Sequence, residues 1–212
     1  MCRKLVLFSL LLFNVTTFTA SLAQSASKKS HNLIQLATIN PRIRVHLVYA
    51  TPHNFTRKTI YKKSAQAYLL DHVARALSNV QKELELQGIG LLIWDAYRPL
   101  QGQQALWDAC PDERFVYPPH KGGKHTRGTT VDLTLVRLSD GKELEMPTGF
   151  DSFTPEASSS ATNISPEALK NRTLLQSMME KHEFVRIQNE WWHFDYKDWR
   201  EHAPLAIDFD EL

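Results

Sequence analysis

The 212-residue sequence predicts an α+β fold: a single domain with a mainly antiparallel sheet and flanking helices. Three observations point that way. Strand-type and helix-type periodicities are interspersed along the chain rather than falling into blocks. Asp140-Gly141 is a strong hairpin turn between two segments that suit strands. No internal repeat or second domain is visible from residue 32 to residue 212. That length supports one real core. With 42% apolar and 23% charged residues, the composition is that of an ordinary globular protein and excludes disorder on composition.

The first residues read differently. Arg3 and Lys4 precede a mostly apolar stretch over residues 5–18, and Ser21-Leu22-Ala23 fits a small-residue cleavage site. This is the pattern of an export signal over residues 1–23. The apolar run is short for a membrane anchor. Residues 24–31 are polar and suit a flexible leader, which leaves residues 32–212 as the domain. Cleavage after Ala23 removes Arg3 and Lys4 and no acidic residue, so the formal net charge of +2 falls to zero. Bulk charge then offers nothing to a membrane or to nucleic acid. Cleavage also removes Cys2, leaving Cys110 with no partner for an internal disulfide and an expected place as a small buried residue.

Along the domain, Ile43, Val45, Leu47 and Tyr49 alternate with Arg44, His46 and Val48, predicting a half-buried strand over residues 43–49. Leu70, Val73, Leu77, Val80 and Leu84 recur at spacings of three and four, predicting a helix over residues 64–87 that stops at Gly88. Residues 90–96 form a short apolar run, read as a buried strand. Pro99 suits the start of a helix over residues 100–109. Residues 111–128 are rich in proline and glycine and read as a loop. A strand follows over residues 130–138, with a returning strand over residues 143–146 after the turn. Ser165-Pro166-Glu167 is a helix start, and Leu175, Met178 and Met179 suit that helix's buried face. Residues 184–187 and 192–196 close the domain as short strands.

Three segments carry candidate chemistry: Trp94-Asp95-Ala96-Tyr97-Arg98-Pro99, His125-Thr126-Arg127-Gly128-Thr129-Thr130-Val131-Asp132, and Glu190-Trp191-Trp192-His193. A catalytic zinc site takes three protein ligands of histidine and carboxylate type and keeps one open position. His125, Asp132 and His193 would supply two nitrogens and one oxygen, with Gly128 letting the chain turn between the first two. Glu190 lies three residues before His193, so the segment must turn or bulge for both to share a site. Granted that, Glu190 is placed to take a proton from a water whose pKa zinc lowers to about 7. Other readings stand beside this one. Two of nine histidines can fall near acids by chance, and Glu190-Trp-Trp-His193 also fits the wet edge of an aromatic core. Asp132 in an apolar strand needs a partner or a metal, and Arg98 would serve as that cation.

Taken together and in this order, the segments resemble the VanX-type D-alanyl-D-alanine dipeptidases, which belong to a wider family of zinc D,D-peptidases and share a fold with the hedgehog signalling domain. The resemblance runs from about Tyr49 to Tyr196. It implies one zinc ion per chain held by His125, Asp132 and His193, with Glu190 as general base and then acid, and Arg98 stabilising the oxyanion. Tyr49-Ala50-Thr51 to Asn54-Phe55-Thr56, and Phe150-Asp151, resemble further segments of the dipeptidase branch. There the matching tyrosine and aspartate hold the substrate's free ammonium, which implies Tyr49 and Asp151 as substrate-binding residues. One departure is plain: the family's serine two positions before the first ligand is Gly123 here.

The resulting expectation is an exported, periplasmic or secreted zinc dipeptidase that hydrolyses D-Ala-D-Ala or a similar small D-amino-acid dipeptide, with Asp151 excluding longer peptides. Two rivals remain. A D,D-carboxypeptidase or endopeptidase on peptidoglycan stem peptides would keep the metal site but leave the amine side open. A catalytically silent binding protein would need neither Glu190 nor Arg98. Oligomeric state is not legible.

Overall fold

The computed structural model describes residues 32–212. The expected export signal and leader, over residues 1–31, lie outside the described residues. Within 32–212 the fold is α+β, and the sheet is mainly antiparallel as expected.

Strand β1 (Leu33–Gln35) runs into a single helical turn, α1 (Leu36–Ile39), and strand β2 (Arg44–Val45) follows. Strand β3 (Tyr68–Leu70) pairs antiparallel with β1 and leads directly into helix α2 (Asp71–Glu85). Strand β4 (Ile89–Asp95), helix α3 (Leu100–Ala109) and strand β5 (Thr130–Arg137) come next. Helix α4 (Pro166–Lys181) and strands β6 (Phe184–Arg186) and β7 (His193–Tyr196) complete the chain order. The main sheet has the order β2-β4-β5-β7-β6, antiparallel throughout except for the parallel β2–β4 pair.

The core explains the elements. Val73, Leu77, Val80 and Leu84 of α2 are fully buried, as are Leu91 and Ile93 of β4 and Val131, Leu133 and Leu135 of β5. Burial of a leucine or isoleucine side chain stabilises by roughly 1.5–3 kcal/mol. β5 is buried along seven of its eight residues, which fits a strand covered on both faces. Ser165 caps α4 through its hydroxyl, which accepts from the Ala168 amide at 3.0 Å, and Pro166 occupies the first turn. Leu175 and Met179 lie in the core, with Met178 packed at its edge.

Several expectations need correction. The strand expected over residues 43–49 is a strand only at Arg44–Val45, and the chain turns through a 3₁₀ segment at Val48–Ala50. Ile43, Leu47 and Tyr49 are still buried, so the alternation reported burial correctly but not conformation. The helix expected from residue 64 begins at Asp71, because residues 68–70 are claimed by β1. Residues 143–146 return as a single bridge, Val136–Glu143, rather than a strand. Cys110 is half-buried, not enclosed. Among the described residues, no helix is long and apolar enough to cross a membrane.

Candidate active site

The register of the sheet builds the site. Asp95 stands opposite Asp132 on β4 and β5, and Asp132 stands opposite His193 on β5 and β7. A bulge between Ile93 and Asp95 sets this alignment. The three side chains therefore form one row across three strands. Two carboxylates directly opposite repel unless a cation sits near both. Arg98, just beyond the end of β4, is that cation. Its Nε and Nη2 donate to Asp95 Oδ2 at 3.0 and 2.7 Å, and its Nη2 lies 4.0 Å from Asp132 Oδ2. Asp95, which the sequence reading assigned no role, is thus the main partner of Arg98. The Tyr61 hydroxyl donates to the same carboxylate, and Arg98 Nη1 donates to Gln103 Oε1 at 2.9 Å. Burial works against the charge on Arg98, and Asp95 outweighs it, holding the guanidinium well above its ordinary pKa.

His125 arrives from a 3₁₀ turn, His125–Arg127, that ends at Gly128 with φ 71. This left-handed conformation favours glycine, and a Cβ there would sit 2.6 Å from Leu33. His125 Nε2 lies 3.2 Å from Asp132 Oδ2, and His193 Nδ1 lies 3.0 Å from Asp132 Oδ1. The three donor atoms fall within 4.8 Å of one another, and all three residues are buried. The remaining ring nitrogens are tied down. His125 Nδ1 meets the Ala96 carbonyl at 2.9 Å, and His193 Nε2 meets Asp195 Oδ1 at 3.0 Å. Asp195 in turn accepts from Lys124 Nζ at 2.5 Å and from the Thr130 hydroxyl at 2.9 Å. Such outer partners fix which nitrogen faces a metal. Burial disfavours the His193 cation, but Asp195 and Asp132 prevail and push its pKa up to about 10.

These residues fit a metal ion. Asp132 is buried between the two imidazoles, with Oδ2 facing His125 and Oδ1 facing His193, an arrangement of three converging donor atoms that a shared cation would complete. Two imidazole nitrogens and a carboxylate are the donor set of a catalytic zinc site.

Glu190 does share the site. The chain turns ahead of β7, with the His193 amide donating to the Glu190 carbonyl, and this brings Glu190 Oε2 to 3.5 Å from His193 Nδ1. Burial raises the pKa of Glu190 above that of a free glutamate, as a general base working near neutrality requires.

Tyr49 and Asp151 meet on the other wall. The Tyr49 hydroxyl donates to both Asp151 oxygens, at 3.1 and 3.0 Å. Asp151 has φ 55, a left-handed conformation that aspartate tolerates better than most residues. Burial, then the nearby charges of Asp132 and Glu190, raise its pKa well above the usual carboxylate range. Tyr49, Arg98, His125, Asp132, Asp151, Glu190 and His193 all line one cavity of about 280 Å³.

Gly123 has a steric reason. A Cβ there would lie 2.8 Å from Gln103 Oε1, the group that holds Arg98. Space that a serine would use is taken by Gln103. Asp195 was missed in the sequence although its place was readable: two residues after His193 on a strand, it must share that histidine's face.

A buried pair of imidazoles and a carboxylate, flanked by a further carboxylate and a fixed guanidinium, is the constellation of a metallopeptidase. Comparison with known proteins makes the class specific. Residues 29–204 match the Peptidase M15 family model described as D-ala-D-ala dipeptidase. The chain is 39% identical over 177 residues to a D-alanyl-D-alanine dipeptidase of Escherichia coli (strain K12), covering 84% of this chain and 91% of the relative. It is 31% identical over 175 residues to a D-alanyl-D-alanine dipeptidase of Enterococcus faecium, covering 74% and 87%. The solved structure of VanYB in complex with D-alanine-D-alanine aligns with a TM-score of 0.43 at 14% identity, over 70% of this chain and 83% of that one. The chain belongs to the D-Ala-D-Ala dipeptidase family of M15 peptidases.

Proposed function

We propose that this enzyme hydrolyses D-alanyl-D-alanine, or a dipeptide much like it, to two free D-amino acids with zinc at His125, Asp132 and His193. The observation that carries the reading is the pairing of two unlike ends in one small cavity. A metal-type cluster with Glu190 beside it lies at one end, and a half-buried carboxylate with no ion-pair partner among the described residues, Asp151, lies at the other. A cavity of about 280 Å³ falls at the lower edge of the roughly 300–1,000 Å³ typical of small-molecule pockets.

When bound, zinc supplies Lewis acidity, lowering the pKa of a coordinated water and polarising the scissile carbonyl. The protein's own groups do the rest. Glu190 Oε2 takes a proton as water adds to the peptide carbon. The new C–O bond leaves negative charge on the carbonyl oxygen, and Arg98, locked by Asp95 and Gln103, stabilises that charge without having to move. Glu190 then returns the proton to the departing nitrogen as the C–N bond breaks. At the far end, a free ammonium would give Asp151 the cation it lacks. Tyr49 orients that carboxylate and keeps its own oxygen lone pairs free to accept from the same ammonium.

The reading extends to location. Arg3 and Lys4, the apolar stretch over residues 5–18 and Ser21-Leu22-Ala23 support export, with residues 24–31 as a leader and 32–212 as the working domain in the periplasm or outside the cell.

Free D-Ala-D-Ala and an N-acylated D-Ala-D-Ala separate this reading from a carboxypeptidase acting on wall stem peptides. The free dipeptide should be cleaved and the acylated one left nearly untouched, because acylation removes the charge that Asp151 needs. Equal or faster cleavage of the acylated substrate would overturn the dipeptidase assignment and favour the stem-peptide one.

A further inference from the structure

A second group of metal-type side chains lies outside the cleft. His72 stands in the first turn of α2, while Asp198 and His202 flank a 3₁₀ turn, Trp199–Glu201, that follows β7. Asp198 Oδ2 is 3.0 Å from His72 Nε2 and 3.3 Å from His202 Nε2. The two imidazoles stack with centroids 5.4 Å apart, and His72 is braced edge-on by the Tyr196 ring at 5.3 Å. Ligands at 2.0–2.1 Å from a tetrahedral zinc are separated from one another by about 3.3 Å. The separations here fit that figure, as do the 3.0 and 3.2 Å separations at the active site.

Two further features set this group apart from an ordinary surface ion pair. Both imidazoles aim at the same carboxylate oxygen, while the other, Oδ1, is buried with no hydrogen-bond partner among the described residues. The cluster is also open on one side: the side chains of His72, Asp198 and His202 are 43%, 22% and 32% exposed. Water can complete the coordination.

We propose that His72, Asp198 and His202 bind a second divalent transition-metal ion of the zinc, cobalt or nickel class, independently of catalysis. Two imidazoles and one carboxylate suit that class of metals. The site is the weaker of the two. Neither His72 Nδ1 nor His202 Nδ1 has a protein partner among the described residues, whereas His125 and His193 are both held from behind. Outer partners of this kind are worth about 10–100-fold in metal affinity. The bound ion would join the turn after β7 to the start of α2. That turn carries Trp199, whose ring lies 4.9 Å from Lys124 Nζ, the cation paired with Asp195. His72, Asp198 and His202 themselves lie outside the cleft lining.

The test is a zinc titration of metal-stripped protein carrying no histidine tag, repeated with cobalt to read the visible absorption of each site. Wild type should take up two equivalents, the second at least about tenfold weaker. His72→Ala/His202→Ala should keep the tight equivalent and its turnover of dipeptide while losing the weak one. His125→Ala/His193→Ala should keep the weak one. His72→Gln, a single change at an exposed helix position, should weaken the second equivalent in a protein whose fold is not in question. A wild type that binds one equivalent, or a His72→Ala/His202→Ala protein that still binds two, would overturn the proposal. The count of equivalents does not depend on which substrate is cleaved, so either result leaves the dipeptidase reading to its own test.

Discussion

The two ends of the cleft are built in different ways. At the metal end, Asp132 and His193 stand on paired strands, so the backbone register sets their separation. His125 and Arg98 are attached just beyond strand ends, and each is tied to neighbouring backbone: His125 Nδ1 to the Ala96 carbonyl and the Arg98 amide to the His125 carbonyl. At the amine end, Tyr49 sits in a 3₁₀ turn and Asp151 in a left-handed loop conformation, joined mainly by their own hydrogen bonds. The difference teaches a division of labour. Two of the three candidate metal ligands stand on the sheet itself, while Glu190 and the pair proposed to hold the substrate's amine lie on segments outside the strands, which can vary without disturbing it.

That comparison can be broken by substitution, starting at the metal end, where effects should be largest. Glu190→Gln removes the proton acceptor and keeps the shape, so kcat should fall by about 10²–10⁴-fold with metal content unchanged. Arg98→Lys keeps a charge but loses the planar fork that spans Asp95 and Gln103. A fall in kcat of about 10²–10³-fold is expected, with KM little changed, if Arg98 acts on the developing oxyanion. Asp195→Asn leaves every cleft-lining group in place but weakens the hold on His193. Metal affinity or activity should drop about 10–100-fold, measurable by chelator competition. The amine end should respond in KM instead. Tyr49→Phe deletes one hydroxyl and should raise KM only about fivefold, for about 1 kcal/mol.

A pH series sharpens the same contrast. The raised pKa of Asp151 means that it stays protonated, and unable to hold an ammonium, to a higher pH than an ordinary carboxylate does. KM for the dipeptide should fall as pH rises through that pKa, because ionisation restores the anion. Asp151→Asn should raise KM and abolish this limb. A limb that survives the substitution would assign it to another group.

Sequence reading performed unevenly across the same divide. That His125, Asp132, Glu190 and His193 would come together was legible because zinc chemistry restricts donor types and because the segments occur together in order. The turn between Glu190 and His193 followed from strand parity. The fold class followed from interspersed periodicities, and α4 from its cap and proline. What escaped was non-local. No pattern within residues 64–70 announces that β1 will pair with residues 68–70 and delay the helix. Asp95 was visible in its segment, yet its role depends on a bulge that aligns it with Asp132 and on Arg98 folding back onto it. Tyr49 was placed on a strand because its alternating burial is real, although the backbone there turns. His72, Asp198 and His202 are 126 and four residues apart in sequence steps, and only the packing of α2 against the last turn makes them one cluster.

The most direct measurement is release of D-alanine from D-Ala-D-Ala by zinc-loaded protein, run beside Glu190→Gln with bound metal quantified in both. The account predicts turnover in the wild type and its near-complete loss in the variant at equal zinc content. Zinc bound to the wild type with no D-alanine released, or a Glu190→Gln protein as active as the wild type, would contradict it.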